Sequence, residues 1–381
     1  MILTNTALRT LAVWFFLATA SIGGAAGAMA DDARWPLTIT DALGREVTIQ
    51  KKPEAILLGT GFNLIALSLI HPDPVSLLAG WSDDMKNYNT EIYESFVAKF
   101  PKLADVPVIG DGTGDGLSFE TLLSLKADLA IMANWQAQTE LGKQAIEHLG
   151  SIGVPVVVVD FNDHVLEKTP DTIRLLGRIL DRDQQAEAYA RFYEERVQRI
   201  RSRVAAHPQP GPTVLMDAYP NPDRCCYAYG TGSLGEFISL TGSRNIAGDL
   251  PRVGGMVSDE FVMAQNPQVY IATASPGGGQ YSAFSVGPGV SPEEARDTLA
   301  KAVDTTVLAA LDAVRNRRVY GLWNFFNAVP INILAAEALA AWLRPDIFPD
   351  IDPAETMKEI NDRFAAVPFT GAYWTELGPS P

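Results

Sequence analysis

Two stretches set the architecture. Ser118-Phe119-Glu120-Thr121-Leu122-Leu123 runs on to Asp128-Leu129-Ala130-Ile131, and Ser258-Asp259-Glu260-Phe261-Val262-Met263 runs on to Gln268-Val269-Tyr270-Ile271. The second lies 140 positions after the first. In each, a serine stands where its side-chain oxygen accepts a backbone N–H and opens a helix. A glutamate falls in the exposed first turn, where the helix dipole favours negative charge. An apolar pair follows, then a short apolar run that reads as a buried strand. The dipole accounts for each glutamate singly. It does not account for the shared register, which predicts two related lobes.

Outward from the first copy, continuous apolar runs at 55–60, 75–80, 106–110, 128–133 and 154–160 read as strands covered on both faces. Between them, 62–69, 118–126 and 139–150 read as helices, the βα alternation of an open α/β domain. The second copy sits in a similar series. There 213–219, 268–274 and 318–323 are strands, and 235–240, 258–265, 292–302 and 331–342 are helices. The stretch 275–290 is rich in Gly and Ser and reads as a loop.

One long amphipathic helix separates the two series. From Arg182 to Ala206, the residues Tyr189, Phe192, Tyr193, Val197, Ile200 and Val204 recur at three- and four-residue steps. The run Pro208-Gln209-Pro210-Gly211-Pro212 stops it. The fold class predicted is α/β: two Rossmann-like lobes with central parallel-type sheets, joined by one long α-helix, with a ligand cleft between them. The expected division is a signal peptide over 1–30, a lobe over 31–181, a bridge over 182–207 and a second lobe with a C-terminal extension over 208–381.

The leader is read from its composition. Arg9 is the only charge in the first 30 residues, 11–20 form an apolar run too short for a bilayer, and Ala28-Met29-Ala30 precedes Asp31 as a small-x-small cleavage pattern. No later segment reaches 18 continuous apolar residues. No cysteine lies near the cleavage site to carry a lipid. The expectation is therefore a soluble periplasmic protein without an anchor. The formal charge of −15 argues against nucleic acid as a partner. Cys225 and Cys226 are adjacent. An oxidising compartment favours a vicinal disulfide, the ~3.8 Å spacing of neighbouring Cα atoms strains it, and both bridge and paired thiols stay open.

With these residues in place, nearly the whole chain beyond the leader resembles the class III substrate-binding proteins of iron-siderophore, haem and cobalamin ABC importers. The opening Thr38-Ile39-Thr40-Asp41-Ala42-Leu43-Gly44-Arg45 is similar to the family's first segment, and Ser118 to Ile131 resembles its E-x-(I/L)-L-x-L-K-P-D-L-V-I motif, with Ala127 replacing the proline. Thr172 to Gly177 resembles the helix before the bridge, and Phe348-Pro349-Asp350-Ile351-Asp352 resembles the tail of longer members. The resemblance implies a rigid helical bridge, a ligand between the lobes, and one surface glutamate per lobe, here Glu120 and Glu260, that pairs with arginines of an inner-membrane permease. It also implies a monomer with no permanently bound cofactor, carrying an Fe(III)-siderophore complex. Haem, cobalamin or an oxyanion on the same fold is the alternative.

Open α/β sheets bind ligands outside the carboxyl ends of their strands. Residues just beyond each strand are therefore candidates: Trp81, Asp111 to Asp115, Asn134-Trp135 and Asp160-Phe161 in the first lobe; Arg224, Tyr227, Tyr229, Arg252 and Trp323-Asn324-Phe325-Phe326-Asn327 in the second. The binding set proposed is Trp81, Thr113, Trp135, Arg224, Tyr227, Tyr229, Arg252, Trp323, Asn324 and Phe325. Rings at Trp81, Tyr229 and Trp323 suit stacking on a flat chelate, and guanidinium forks at Arg224 and Arg252 suit its oxygens. Hydroxamate-binding relatives carry an arginine shortly before the first docking glutamate; Asp111-Gly112-Thr113-Gly114-Asp115-Gly116 has no base there. Haem-type relatives hold iron with Tyr or His, which no first-lobe residue matches.

Other motifs lead elsewhere. Asp111-x-Thr113-x-Asp115-Gly116 imitates a calcium loop but has Leu122 where the twelfth-place acid belongs. Gly230-x-Gly232-x-x-Gly235 has dinucleotide spacing yet stands about ten residues past the nearest strand, so it reads as a helix-entry loop. His71, His148, His164 and His207 show no metal-ligand spacing, and there is no G-x-S-x-G elbow. Neither a metal nor a catalytic residue is expected; a secreted α/β enzyme is the reading from another class.

Overall fold

Five parallel strands make the first sheet of the computed structural model, in the order Val108–Gly110, Leu78–Ser82, Ile56–Leu58, Leu129–Ala133, Val156–Val159. Ile56–Leu58 and Val156–Val159 are buried along their whole length, as continuous apolar runs require when helices cover both faces. The chain builds this sheet outward from Ile56–Leu58 on one side, then returns to lay Leu129–Ala133 against its other side. The strand order reverses between those two. Their carboxyl ends diverge there and leave a crevice.

The second sheet has a parallel centre. Thr213–Ala218 and Val319–Trp323 flank Val269–Ala274, and Arg244–Asn245 adds in parallel to Thr213–Ala218. Its edges are antiparallel: Tyr227–Ala228 and Gly255–Met256 on one side, Trp374–Glu376 on the other. The expected parallel-type sheet is thus mixed. Strands of two or three residues are too short to show a periodic pattern in sequence.

The repeated register holds in three dimensions. Helix Phe119–Ser124 leads into Leu129–Ala133, and helix Asp259–Gln265 leads into Val269–Ala274, each strand central in its own sheet. Ser258 caps its helix by accepting the Phe261 N–H at 3.2 Å.

Helix Asp183–Ala206 links the two series; its 24 residues span about 36 Å. It buries Tyr189, Phe192, Tyr193, Val197 and Ile200 against helices Val165–Leu180 and Ile333–Leu343. Arg199 on this helix donates to Glu337, a fully buried acid on Ile333–Leu343, at 2.9 Å, with Arg196 at 3.6 Å. Both sheets and the helix belong to one compact unit, Pro36–Pro381.

The structure describes residues 34–113, 119–221, 225–277 and 282–378. The expected leader, Ser118 with its expected cap, and Arg224 lie outside them. Of the leading unit, Met1–Trp35, only Arg34 and Trp35 are described. Cys225 and Cys226 are joined as a disulfide, which resolves the choice left open by the sequence. Among the described residues, no helix is long and apolar enough to cross a membrane.

Candidate ligand cleft

Beyond the two diverging strands lies a cavity of about 450 Å³. Thr60, Phe62 and Asn63 reach it from the end of Ile56–Leu58, and Asn134 and Trp135 from the end of Leu129–Ala133. Asp160 and Phe161 follow Val156–Val159 into it, and Asn324, Phe325 and Asn327 close it from the other lobe. The volume falls in the range of small-molecule sites.

Local bonding fixes this surface. Gln136, buried, donates to the carbonyls of Gly59 and Gly112 at 2.6 Å each and so ties two strand-end loops together. Asp84 accepts from the Thr60 hydroxyl and, at 2.6 Å, from the Gly61 N–H. Gly112 (φ +81°) leaves room for it, because a Cβ there would fall 2.4 Å from the Asp84 side chain. Asp160 accepts from Asn134 and from Lys168, both at 3.1 Å. In the second lobe, Asn324 Oδ1 accepts from the Tyr229 and Thr273 hydroxyls, both at 2.7 Å.

The lobes meet across the cleft. Phe62 and Phe325 stack with centroids 4.3 Å apart, and Asn162 donates to the Asn327 carbonyl at 2.8 Å. A second cavity, about 420 Å³, opens from the first through Asn162, Tyr219, Asn324 and Asn327. Tyr227 and Tyr229 line it, with Asp217.

The strand-end candidates separate into three groups. Thr113, Trp135, Asn324 and Phe325 line the first cavity, and Tyr227 and Tyr229 the second. Trp81 and Trp323 line neither and are corrected to packing residues. Trp81 is 1% exposed and stacks on Tyr93; Trp323 is 0% exposed, donates to Asn89 Oδ1 at 2.8 Å and packs on Phe326 and Tyr373. Both lie within their strands, which run to Ser82 and Trp323, so their rings enter the helix-covered layer. Arg252 is also corrected. Its guanidinium sits 3.0 Å from Asp163 and 3.1 Å from Glu236, an ion pair between lobes, and lines neither cavity. His164 lies beside the same two acids. Glu120 and Glu260 are exposed in the first turns of their helices.

Sequence reasoning missed Phe62, Asp84, Tyr88, Tyr219 and Asn162. The signal for Phe62 was present: Gly59-Thr60-Gly61 directly follows a strand, and a ring placed there reaches the crevice.

The charge of the cleft is the main departure. The charged residues lining the two cavities are Asp84, Asp111, Asp160 and Asp217, and no Lys, Arg or His lines either among the described residues. Burial pushes Asp84 up to about 7, against the hydrogen bonds from Thr60 and Gly61. Burial also pushes Asp217 up to about 7, against the Tyr270 hydroxyl and the Tyr227 N–H. Ionisation of either carboxyl would place an anion at a lining that, among the described residues, carries no Lys, Arg or His.

Stability should follow. The folded protein keeps the Asp217 proton to about pH 7, whereas the unfolded chain releases it near 3.8. Stability from this group is therefore complete below about pH 4 and lost as pH rises through 7. Asp217→Asn cannot ionise, so its unfolding free energy should gain on the wild type between pH 4.5 and 8, by on the order of 2–4 kcal/mol. Denaturant titrations that stay parallel across that range would contradict the assignment.

Two lobes, a helical bridge and an aromatic crevice at a strand-order reversal define a two-lobed ligand receptor. The chain belongs to the periplasmic binding protein family, whose model matches residues 69–324, and it is a substrate-binding protein rather than an enzyme. It is similar to the TroA-like periplasmic binding protein FepB from Veillonella parvula, at 25% identity and TM-score 0.79, covering 90% of this chain and 99% of that one. A vitamin B12-binding protein of Pectobacterium carotovorum is 26% identical over 162 residues, 42% of this chain and 55% of that protein's length. An uncharacterized ABC transporter substrate-binding lipoprotein of Bacillus subtilis, YvrC, is 23% identical over 246 residues, 63% of this chain and 69% of the relative.

Proposed function

We propose that the protein is exported through its leader, acts as a periplasmic monomer, and binds an Fe(III)-siderophore complex of zero or positive net charge. It passes this cargo to an inner-membrane ABC permease that docks on Glu120 and Glu260. The observation carrying the cargo class is the cleft itself: stacking rings at Phe62, Trp135 and Phe325 beside charged groups that, among the described residues, are all acidic. Three hydroxamates, each contributing one negative charge, neutralise Fe(III), while three catecholates leave a trianion. In a site of low effective dielectric, anion next to carboxylate is strongly unfavourable. Of the two guanidinium forks that the sequence suggested, Arg252 is held by Asp163 and Glu236, and Arg224 lies outside the described residues.

Tryptophan fluorescence tests it. A ferric trihydroxamate should quench the wild type saturably at micromolar concentration or below, its iron-free form should not, and Trp135→Phe should shrink the amplitude. Saturation by a ferric tris-catecholate alone would defeat the charge argument. A second reading has specific support. A corrinoid rimmed with amides would suit Asn134, Asn162 and Asn327, and one relative is a vitamin B12-binding protein. Saturation with cyanocobalamin and not with the iron complexes would decide for it.

A further inference from the structure

We infer that the second cavity is a subsite for an alkylammonium arm of the ligand, with Asp217 as its counter-charge. The inference rests on the reading of the cleft as a receptor for an uncharged or cationic chelate, and it adds which group carries the positive charge.

Asp217 lies near the end of strand Thr213–Ala218, is 1% exposed, and lines this cavity of about 420 Å³. Its Oδ2 accepts from the Tyr270 hydroxyl at 2.8 Å and the Tyr227 N–H also faces the carboxylate, while Oδ1 completes no hydrogen bond. Ser233 Oγ, on the same cavity, is also buried and without one. A buried acceptor left unmet is a standing cost that a ligand donor removes. The two unmet oxygens in one hollow ask for a group with more than one N–H.

The surroundings select among cations. Rings of Tyr219, Tyr227 and Tyr229 wall the space, the arrangement that attracts an ammonium through the ring quadrupole. Val253 and Met256, 67% and 49% exposed, make its mouth apolar, which suits an alkyl chain entering from the main cleft. One free carboxylate oxygen does not match the two-pronged fork of a guanidinium. A lone carboxylate is also too small a donor set for a bare hard cation.

Two linear ferric trihydroxamates test this, one ending in a primary ammonium and the other the same complex N-acetylated. The wild type should bind the ammonium form at least tenfold more tightly. Asp217→Asn should bring that form down to the acetylated one. Val253→Arg, at the exposed mouth, should reduce the preference without touching the buried strand and serves if the Asn variant folds poorly. Equal wild-type affinity for the two complexes overturns the subsite but leaves the chelate reading standing. If neither complex binds, the chelate reading fails, and n-butylammonium chloride decides the subsite alone. Saturable chemical-shift changes in the wild type that vanish in Asp217→Asn uphold it, and a linear, non-saturating response overturns it.

Discussion

Reversing both surface acids, Glu120→Lys with Glu260→Lys, is expected to reduce uptake of the bound complex by more than tenfold while ligand affinity stays within about twofold. Each acid is exposed and stands in the first turn of a helix, one per lobe, in the repeated register. The Glu260 backbone N–H and Ser258 hold the Glu260 carboxyl below its ordinary range, so it is ionised wherever transport operates. Exposed charges of this kind steer and orient a partner and do little for fold stability. The effect should therefore appear in transport, and the wild type's transport should weaken with added salt. Each single reversal should give an intermediate loss. Uptake of a labelled ferric complex by vesicles containing the cognate permease is the measurement, with fluorescence titration as the control for binding. Full uptake by the double variant would remove these residues from docking.

The second large effect concerns the bridge. Glu337 is fully buried, and burial lifts its pKa despite the nearby Thr356, Arg196 and Arg199. Replacing both arginines with methionine leaves an uncompensated acid in the core, which costs roughly 3–5 kcal/mol. Adding Glu337→Leu should return most of that, because a well-packed apolar replacement of a buried ion pair is often neutral or better. Urea titrations of the three proteins decide it. If the double variant is as stable as the wild type, the arginines are not what compensates this carboxylate.

What the sequence revealed follows from length and period. The runs at 128–133 and 268–274 were legible because each is a continuous apolar stretch behind a helix signal in the sequence. The bridge was legible because its apolar residues keep a 3.6 period over many turns. Tyr227–Ala228 and Gly255–Met256 left no mark, being two residues each. Helices Asp84–Tyr88 and Thr90–Lys99 were passed over although Met85, Tyr88, Ile92 and Phe96 fall three or four apart. Asn89, between them, breaks the run.

At the site, proximity to a strand end was legible and direction was not. Trp81 and Trp323 stand at the right places along the chain, yet the pleat turns them into the core, whereas Phe325, two residues past Trp323, reaches the cleft. Net charge could not show that the cleft's lining is acidic either. That depends on Asp84, Asp160 and Asp217 converging from two sheets, while Arg252 is drawn aside by Asp163 and Glu236.

The crevice between the lobes as the seat of a metal chelate is the claim beneath all of this. Crystals grown with a ferric trihydroxamate and measured at the iron absorption edge test it most directly. The account predicts one strong anomalous peak inside the cavity bounded by Phe62, Trp135 and Phe325. A peak at the protein surface with the cavity empty, or an unoccupied cavity under saturating complex, would contradict it.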